Sequence, residues 1–289
     1  MQKDYIDVLC CQMKLKLACD DKKEFLIEEE SYFKQMDYII AFIEEKTPDI
    51  VVFPEMSYSL RYEEKLLKLS QNKLMVFGSV YDEGKNMMII FYNQTKITLS
   101  KCYLSGVEPS IRTQENVSFN EFKRSHLKNH TFTIKGRKII VLNCAEYYRV
   151  GYYLARDKTI NNKLFGFLVP SANNNLDVFM EESIALHNHN DKIYSFVVNS
   201  KASYNDKVYA EGGSYIFGAL SRYEKEVNLL PTKENKSNNI VLVEDKPCLI
   251  YGQFLIEPKT WFYRSDEYKH TPKNLQNNRF RENNLNALK

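Results

Sequence analysis

The chain has 289 residues and a mass of 34.0 kDa, and 44% of its residues are hydrophobic, enough to bury a core of its own. Its 40 basic and 37 acidic residues are mixed along the chain and leave a net charge of +3, so nucleic acid is not a predicted partner. No apolar run reaches the roughly 18 residues that span a bilayer, and the N-terminus lacks the layout of a signal peptide. We therefore expect a soluble, cytoplasmic protein with no membrane partner.

The first third of the chain predicts a strand, a helix and a second strand. Residues 5–11 favour a strand, followed by a polar loop through Asp20-Asp21. Apolar residues three to four positions apart predict a helix that starts near Ser31 and stops at Thr47-Pro48. Residues 50–53 then form a short buried strand. This β-α-β opening predicts at least one parallel strand pair.

Further elements alternate up to about residue 256. Helices are predicted over residues 61–71 and 178–192, and strands over 74–77, 87–92, 97–99, 132–134, 139–142, 164–169, 195–198, 214–217, 240–243 and 249–256. No composition break divides them, so we predict an α/β domain over residues 1–267, with mixed sheet inside and helices outside. Residues 231–239 are predicted to be a surface loop. Residues 268–289, rich in Asn, Lys and Arg, are predicted to be a polar C-terminal extension.

The cysteines and histidines do not predict a structural metal or a disulfide framework. The six cysteines, at positions 10, 11, 19, 102, 144 and 248, form no CxxC pair. His187 and His189 stand two residues apart without further acidic or sulfur ligands in a metal-site pattern. We therefore predict no metal and no organic cofactor.

Three reactive side chains stand at or just beyond predicted strand ends. Glu55 ends the run Asp49-Ile-Val-Val-Phe-Pro-Glu55, Lys101 follows the strand 97–99, and Cys144 follows the strand 139–142. A thiol near its usual pKa of about 8.5 is mostly protonated at neutral pH, so it needs a base or a cation beside it to react. A glutamate can take the thiol proton, and a lysine can stabilise the oxyanion that forms when a carbonyl or nitrile carbon is attacked. The simpler interpretation is that Cys144 fills the core and that Glu55 and Lys101 are surface charges.

The surroundings of these residues resemble the nitrilase, or carbon-nitrogen hydrolase, superfamily over roughly residues 5–256. Asp49-Ile-Val-Val-Phe-Pro-Glu55 is similar to the family's strand ending in Pro-Glu, which implies Glu55 as general base. Leu99-Ser-Lys101-Cys-Tyr-Leu104 is similar to its lysine segment, and Val141-Leu-Asn-Cys144-Ala-Glu146 to its nucleophile segment. The resemblance thus implies that Lys101 stabilises the oxyanion and that Cys144 forms a thioester. Glu108, seven residues after Lys101, resembles a second glutamate that orients the lysine and the substrate.

The resemblance also implies the fold and the class of reaction. The expected fold is an α-β-β-α sandwich of two mixed sheets flanked by helices, packed as a homodimer or larger homo-oligomer. The expected reaction is hydrolysis of a non-peptide carbon-nitrogen bond in a small-molecule amide or nitrile. Ala145 stands where many members carry an aromatic residue, which leaves the acyl group open. Two alternatives therefore remain: an N-acyltransferase that uses the same site, and a nitrilase-like module that acts in assembly or regulation of a multi-protein system.

Overall fold

The structure is a computed structural model, and it describes residues 5–19, 24–82, 85–104, 116–161, 163–190, 192–204, 207–218, 240–242, 247–256 and 280–284. Its strands are β1 (Tyr5–Gln12), β2 (Lys14–Cys19), β3 (Glu24–Leu26), β4 (Ile50–Glu55), β5 (Leu74–Asp82), β6 (Lys85–Tyr92), β7 (Thr95–Ser100), β8 (Thr131–Ile134), β9 (Arg137–Val141), β10 (Leu164–Ser171), β11 (Tyr194–Asn199), β12 (Lys201–Tyr204), β13 (Lys207–Glu211), β14 (Tyr215–Phe217), β15 (Ile240–Leu242), β16 (Cys248–Leu255) and β17 (Phe280–Asn284). Its helices are α1 (Glu30–Lys46), α2 (Glu63–Leu69), α3 (Phe119–Glu121), α4 (Ala145–Arg156), α5 (Lys158–Asn161) and α6 (Asp177–His189).

The first sheet has the strand order β17-β16-β1-β4-β5-β6-β7 in the part of the chain that is described. Strands β1, β4 and β5 run parallel, which confirms the β-α-β opening, and β6 and β7 continue as antiparallel neighbours. Helix α1 precedes β4 and ends at Lys46. The next residue, Thr47, closes the last turn through its positive φ of 47° and its backbone hydrogen bond to Ile43. Within the predicted C-terminal extension, β17 pairs antiparallel with β16.

The second sheet has the strand order β15-β14-β11-β10-β9-β8 among the described residues. Its centre consists of three parallel strands, β9, β10 and β11, and its outer strands pair antiparallel. Each sheet therefore has a set of parallel strands whose carboxyl ends meet at one edge. Loops at such an edge are where side chains from several strands can converge.

The two sheets pack face to face and each carries helices on its outer face. Alternate residues of β1 show the division, because Ile6 and Val8 belong to the core between the sheets, whereas Leu9 packs with α1 on the outside. Helices α4 and α6 cover the outer face of the second sheet through a separate apolar cluster. This is the predicted α-β-β-α sandwich with two mixed sheets.

A small third sheet, with strand order β13-β12-β2-β3, corrects one prediction. Residues 14–19 were expected to belong to a polar loop, and that prediction was wrong because they form β2. Lys14 and Lys16 are exposed, whereas Leu15 and Leu17 are buried, so the segment alternates with the period of a strand. The predicted surface loop at residues 231–239 lies outside the described residues.

Among the described helices, none combines the length and the apolar character that crossing a membrane requires.

Candidate active site

Glu55, Lys101 and Cys144 lie at one edge of the sandwich, where the two sheets meet. Glu55 is the last residue of β4, Lys101 follows the end of β7, and Cys144 occupies the turn between β9 and α4. Their exposed fractions are 5%, 3% and 4%, so neither charged residue is a surface charge and both are held away from bulk water. Lys101 Nζ lies 3.2 Å from Glu55 Oε1. The structure thus brings the three predicted residues together in a buried cluster.

The Glu55 carboxylate is held in one orientation by donors from three separate parts of the chain. Ser79 Oγ, from β5, donates to Oε1, and so does Lys101 Nζ. The Asn143 amide, oriented with its nitrogen toward Glu55, donates to the same oxygen at 3.2 Å and accepts from the Ser79 backbone N–H at 3.2 Å. Because the donors belong to different elements, small shifts of any one element would move the carboxylate.

Cys144 adopts a backbone conformation that is unusual for a residue with a side chain. Its φ is 49° and its ψ is −107°, and its N–H donates to the Pro170 carbonyl at 2.9 Å. Such a positive φ costs free energy in a non-glycine residue and is found at sites where the surrounding structure fixes it. The turn places the thiol at the start of α4. Ala145 is the first helical residue, where the opening N–H groups of a helix have no intrahelical acceptor.

The electrostatic surroundings keep the resting Cys144 protonated. Burial and the negative charge of Glu55 raise the pKa of the Cys144 thiol to about 12, against the opposing effects of Lys101 and a hydrogen bond from Asn173. The thiol also hydrogen bonds to Glu55, which favours the protonated form. Tyr148, one turn along α4, has its pKa raised by burial and by Cys144. A reaction at this sulfur therefore requires proton transfer to a neighbouring base, and Glu55 is in contact with it.

Glu146 connects the lysine segment to the cysteine segment. Its Oε1 accepts the backbone N–H of Cys102 at 2.5 Å, and its Oε2 accepts that of Asn143 at 2.7 Å. Cys102 directly follows Lys101, and Asn143 directly precedes Cys144. The fully buried Glu146 carboxylate therefore fixes the distance between the ammonium and the thiol through the backbone.

A second group of buried residues, next to this site, has side chains of the kinds that bind metal ions. One ligand atom from each of Cys102, His130 and Glu146 lies within 4.8 Å of the others, and all three residues are buried. His130 Nδ1 pairs with the Val141 carbonyl at 2.9 Å, and both Glu146 oxygens already accept backbone N–H groups. Burial and the Glu146 charge raise the pKa of the Cys102 thiol, whereas a metal ligand must be a thiolate. We interpret the group as a hydrogen-bonded support for Glu146.

Cys144 and its neighbours Glu55 and Lys101 were predicted from the sequence, whereas other residues near the sulfur were not. Glu108, predicted to orient the lysine, lies outside the described residues. Asn173 was not predicted to have a role, yet its Nδ2 lies 3.1 Å from Cys144 Sγ. Asn173 follows β10 by two residues, and Ser79 lies on β5, so both stand near the carboxyl ends of parallel strands. Their place at or just beyond a predicted strand is the feature of the sequence that could have identified them as candidate site residues.

Comparison with known proteins supports the fold through structure and not through sequence. No family model matches this chain, and no curated protein does. Solved structures do. An amidase from Nesterenkonia sp. aligns with a TM-score of 0.58 at 11% identity, covering 89% of this chain and 93% of that one. A carbon-nitrogen hydrolase superfamily protein from Xanthomonas campestris aligns with a TM-score of 0.56 at 10% identity, covering 87% of this chain and 91% of that one.

The chain therefore has the fold of the nitrilase, or carbon-nitrogen hydrolase, superfamily. A variant of the Nesterenkonia amidase, similar with a TM-score of 0.57 at 10% identity over 89% of this chain and 92% of that one, carries the acetamide moiety of fluoroacetamide on its active-site cysteine. The Xanthomonas protein has an arsenic adduct in its active site. Among these relatives in fold, the Nesterenkonia amidase thus has a cysteine in its active site.

Proposed function

We propose that this protein is a cysteine-dependent hydrolase of a non-peptide carbon-nitrogen bond, with a small-molecule amide or nitrile as substrate. The observation that carries the proposal is the buried contact of Glu55 with both Lys101, at 3.2 Å, and the Cys144 thiol. Burying a carboxylate and an ammonium costs free energy of folding, and such arrangements beside a reactive thiol are concentrated at functional sites. The amidases that share the fold support the choice of reaction.

The proposed acylation starts with transfer of the thiol proton to Glu55. The Cys144 sulfur then forms a bond to the amide carbon, and the carbonyl π electrons move to the oxygen. Lys101 stabilises this oxyanion, together with N–H groups at the start of α4 such as that of Ala145. The oxyanion collapses, the carbon-nitrogen bond breaks, and Glu55 returns the proton to the leaving ammonia or amine. The product on the protein is a thioester at Cys144.

The proposed deacylation uses the same groups in reverse. Glu55 takes a proton from water while the water oxygen attacks the thioester carbon, and Lys101 again stabilises the oxyanion. The carbon-sulfur bond breaks, the carboxylic acid leaves, and the proton on Glu55 returns to the Cys144 sulfur. For a nitrile substrate, attack on the carbon places the charge on nitrogen, and Glu55 supplies the proton to give a thioimidate. A water molecule then adds to the thioimidate carbon, the carbon-nitrogen bond breaks with loss of ammonia, and the same thioester forms. Glu108 is proposed to orient Lys101 and the substrate.

Release of ammonia from a panel of short aliphatic and aromatic amides and nitriles tests this proposal. We expect turnover with the wild-type protein and at least a thousandfold loss for Cys144→Ala, since the covalent route disappears. Equal rates for the two proteins would contradict a cysteine-dependent reaction. Repeating the assay with added primary amines identifies acyl transfer, because an amide product would then form in place of the acid.

A further inference from the structure

The side-chain amide of Asn173 faces the sulfur of the proposed nucleophile. Asn173 lies two residues beyond the end of β10, on the second sheet, whereas Glu55 approaches from the first sheet. Its Nδ2 is 3.1 Å from Cys144 Sγ, within the distance for an N–H donor to sulfur. The proposed mechanism assigns the proton of the thiol to Glu55 and the oxyanion to Lys101. It assigns no group to the negative charge that develops on the sulfur itself.

We propose that Asn173 is a further catalytic residue, whose amide N–H donates to the Cys144 sulfur and stabilises the thiolate as it attacks and as it leaves the thioester. This inference rests on the proposed function, since it needs Cys144 to react as a nucleophile. A donor aimed at the sulfur is worth more against a thiolate than against a thiol, because hydrogen bonds to a charged acceptor are stronger. The hydrogen bond from Asn173 therefore stabilises the reacting thiolate more than the resting thiol.

The orientation of the Asn173 amide follows from its neighbours. The thiol hydrogen bonds to Glu55, so toward Asn173 the sulfur presents lone pairs and requires a donor. The same Nδ2 donates to Ser171 Oγ at 2.7 Å. An amide nitrogen has two hydrogens, and the two contacts use one each. Ser171 is fully buried at the end of β10, so its hydroxyl holds the Asn173 amide in one orientation.

The backbone of Asn173 is fixed by a second, fully buried asparagine. Asn199 Oδ1 accepts the Asn173 N–H at 2.8 Å, and Asn199 Nδ2 donates to the Asn173 carbonyl at 2.8 Å. Asn199 Nδ2 also donates to the Gly212 carbonyl at 2.6 Å. These bonds connect Asn173 to the end of β11 and to the loop after β13. The donor is thus held in place before the reaction, which is the condition under which a fixed dipole contributes most to catalysis.

Three side chains influence the charge state of Cys144, and Asn173 is the uncharged one among them. The charge of Glu55 opposes the thiolate and Lys101 favours it. The half-buried Tyr148 on α4 has its own pKa raised by burial and by Cys144. Lys101 already contacts Glu55, and its role as an oxyanion donor draws it toward the substrate. Asn173 carries no charge and contacts the sulfur directly, so its effect does not depend on the pH. Its loss should raise the thiol pKa.

The test is the alkylation rate of Cys144 by iodoacetamide as a function of pH, measured on the full chain, with peptide mass spectrometry separating Cys144 from the other thiols. Below the thiol pKa the rate follows the thiolate fraction, so each tenfold drop at fixed pH reports a pKa higher by about one. We expect Asn173→Ala to slow alkylation roughly fivefold. Asn173→Asp, of the same shape but with a negative acceptor facing the sulfur, should slow it at least tenfold.

Asn174→Asp is the matched control, because it adds the same charge one residue away on an exposed side chain. It should alkylate at the wild-type rate. Wild-type rates for Asn173→Ala and Asn173→Asp, or an equal effect of Asn174→Asp, would overturn the inference. Ammonia release measured in parallel separates the two proposals. Slower alkylation in a protein that hydrolyses no amide supports Asn173 and counts against the hydrolase, whereas hydrolysis with unchanged alkylation overturns only the role of Asn173.

Discussion

Replacing Gly78 by alanine would displace the proposed base, Glu55, without replacing any reactive side chain. A Cβ added at Gly78 would lie 2.4 Å from Pro170 Cβ, 2.7 Å from the Asn143 side-chain amide and 2.8 Å from Glu55 Cγ. Ordinary van der Waals contacts begin near 3.4 Å, so relief of the overlap requires a shift of about 1.0 Å at Pro170 and about 0.6 Å at Glu55. Such overpacking destabilises a core by about 1–3 kcal/mol. Since a misplacement of about 1 Å at a reacting group costs about a hundredfold in rate, we expect the smaller shift at Glu55 to lower the rate on the order of tenfold.

Gly166→Ala is the matched control for this substitution. Its added Cβ would lie 2.3 Å from the Tyr194 carbonyl oxygen, an equally severe overlap, but four residues before Pro170 on the same strand and away from the site. Urea unfolding should show a loss of stability in both variants. Ammonia release per folded molecule, with the most rapidly hydrolysed amide of the panel, should fall only for Gly78→Ala. Wild-type turnover in a destabilised Gly78→Ala protein would refute the argument that Glu55 must be held in place.

Two further substitutions test buried carboxylates. Glu146→Gln removes one acceptor and turns an amide N–H2 toward a backbone donor. We therefore expect the free energy of unfolding to fall by about 1–3 kcal/mol and kcat to fall as well. The control Glu121→Gln, on the surface, should change neither quantity. Burial raises the pKa of Glu182 from 4.5 to about 7. Its contribution to stability is therefore fully present below pH 4.5 and lost as the pH rises through about 7. The full rise corresponds to about 3 kcal/mol, reduced to about 1–2 kcal/mol by partial exposure. Urea unfolding across this range should show that decline in the wild type and in Glu181→Gln, and not in Glu182→Gln.

Periodicity was sufficient to predict most of the sandwich. Apolar spacing predicted α1, and the continuous apolar runs predicted β4 and β10, because these elements bury a face or both faces. β2 was missed although Leu15 and Leu17 alternate with lysines, since a short strand in a separate small sheet resembles a polar loop. Helix α4 was also not predicted from its tyrosine-rich sequence.

The site was only partly predictable because it depends on contacts between distant strands. Glu55 and Cys144 could be found from the motifs and the strand ends that carry them. Asn173 could not be connected to the sulfur, because its position depends on the register of β10 against β9 and on the bonds from Asn199. The joining role of Glu146 likewise arises from a backbone N–H that lies 44 residues away in sequence.

The measurement that tests the central proposal most directly is the intact mass of the protein after mixing with the panel of amides and rapid quenching in acid. We expect a mass increase equal to the acyl group, located on the peptide that contains Cys144 and absent from Cys144→Ala. Absence of an adduct across the whole panel, together with a Cys144 that iodoacetamide leaves unmodified, would contradict it.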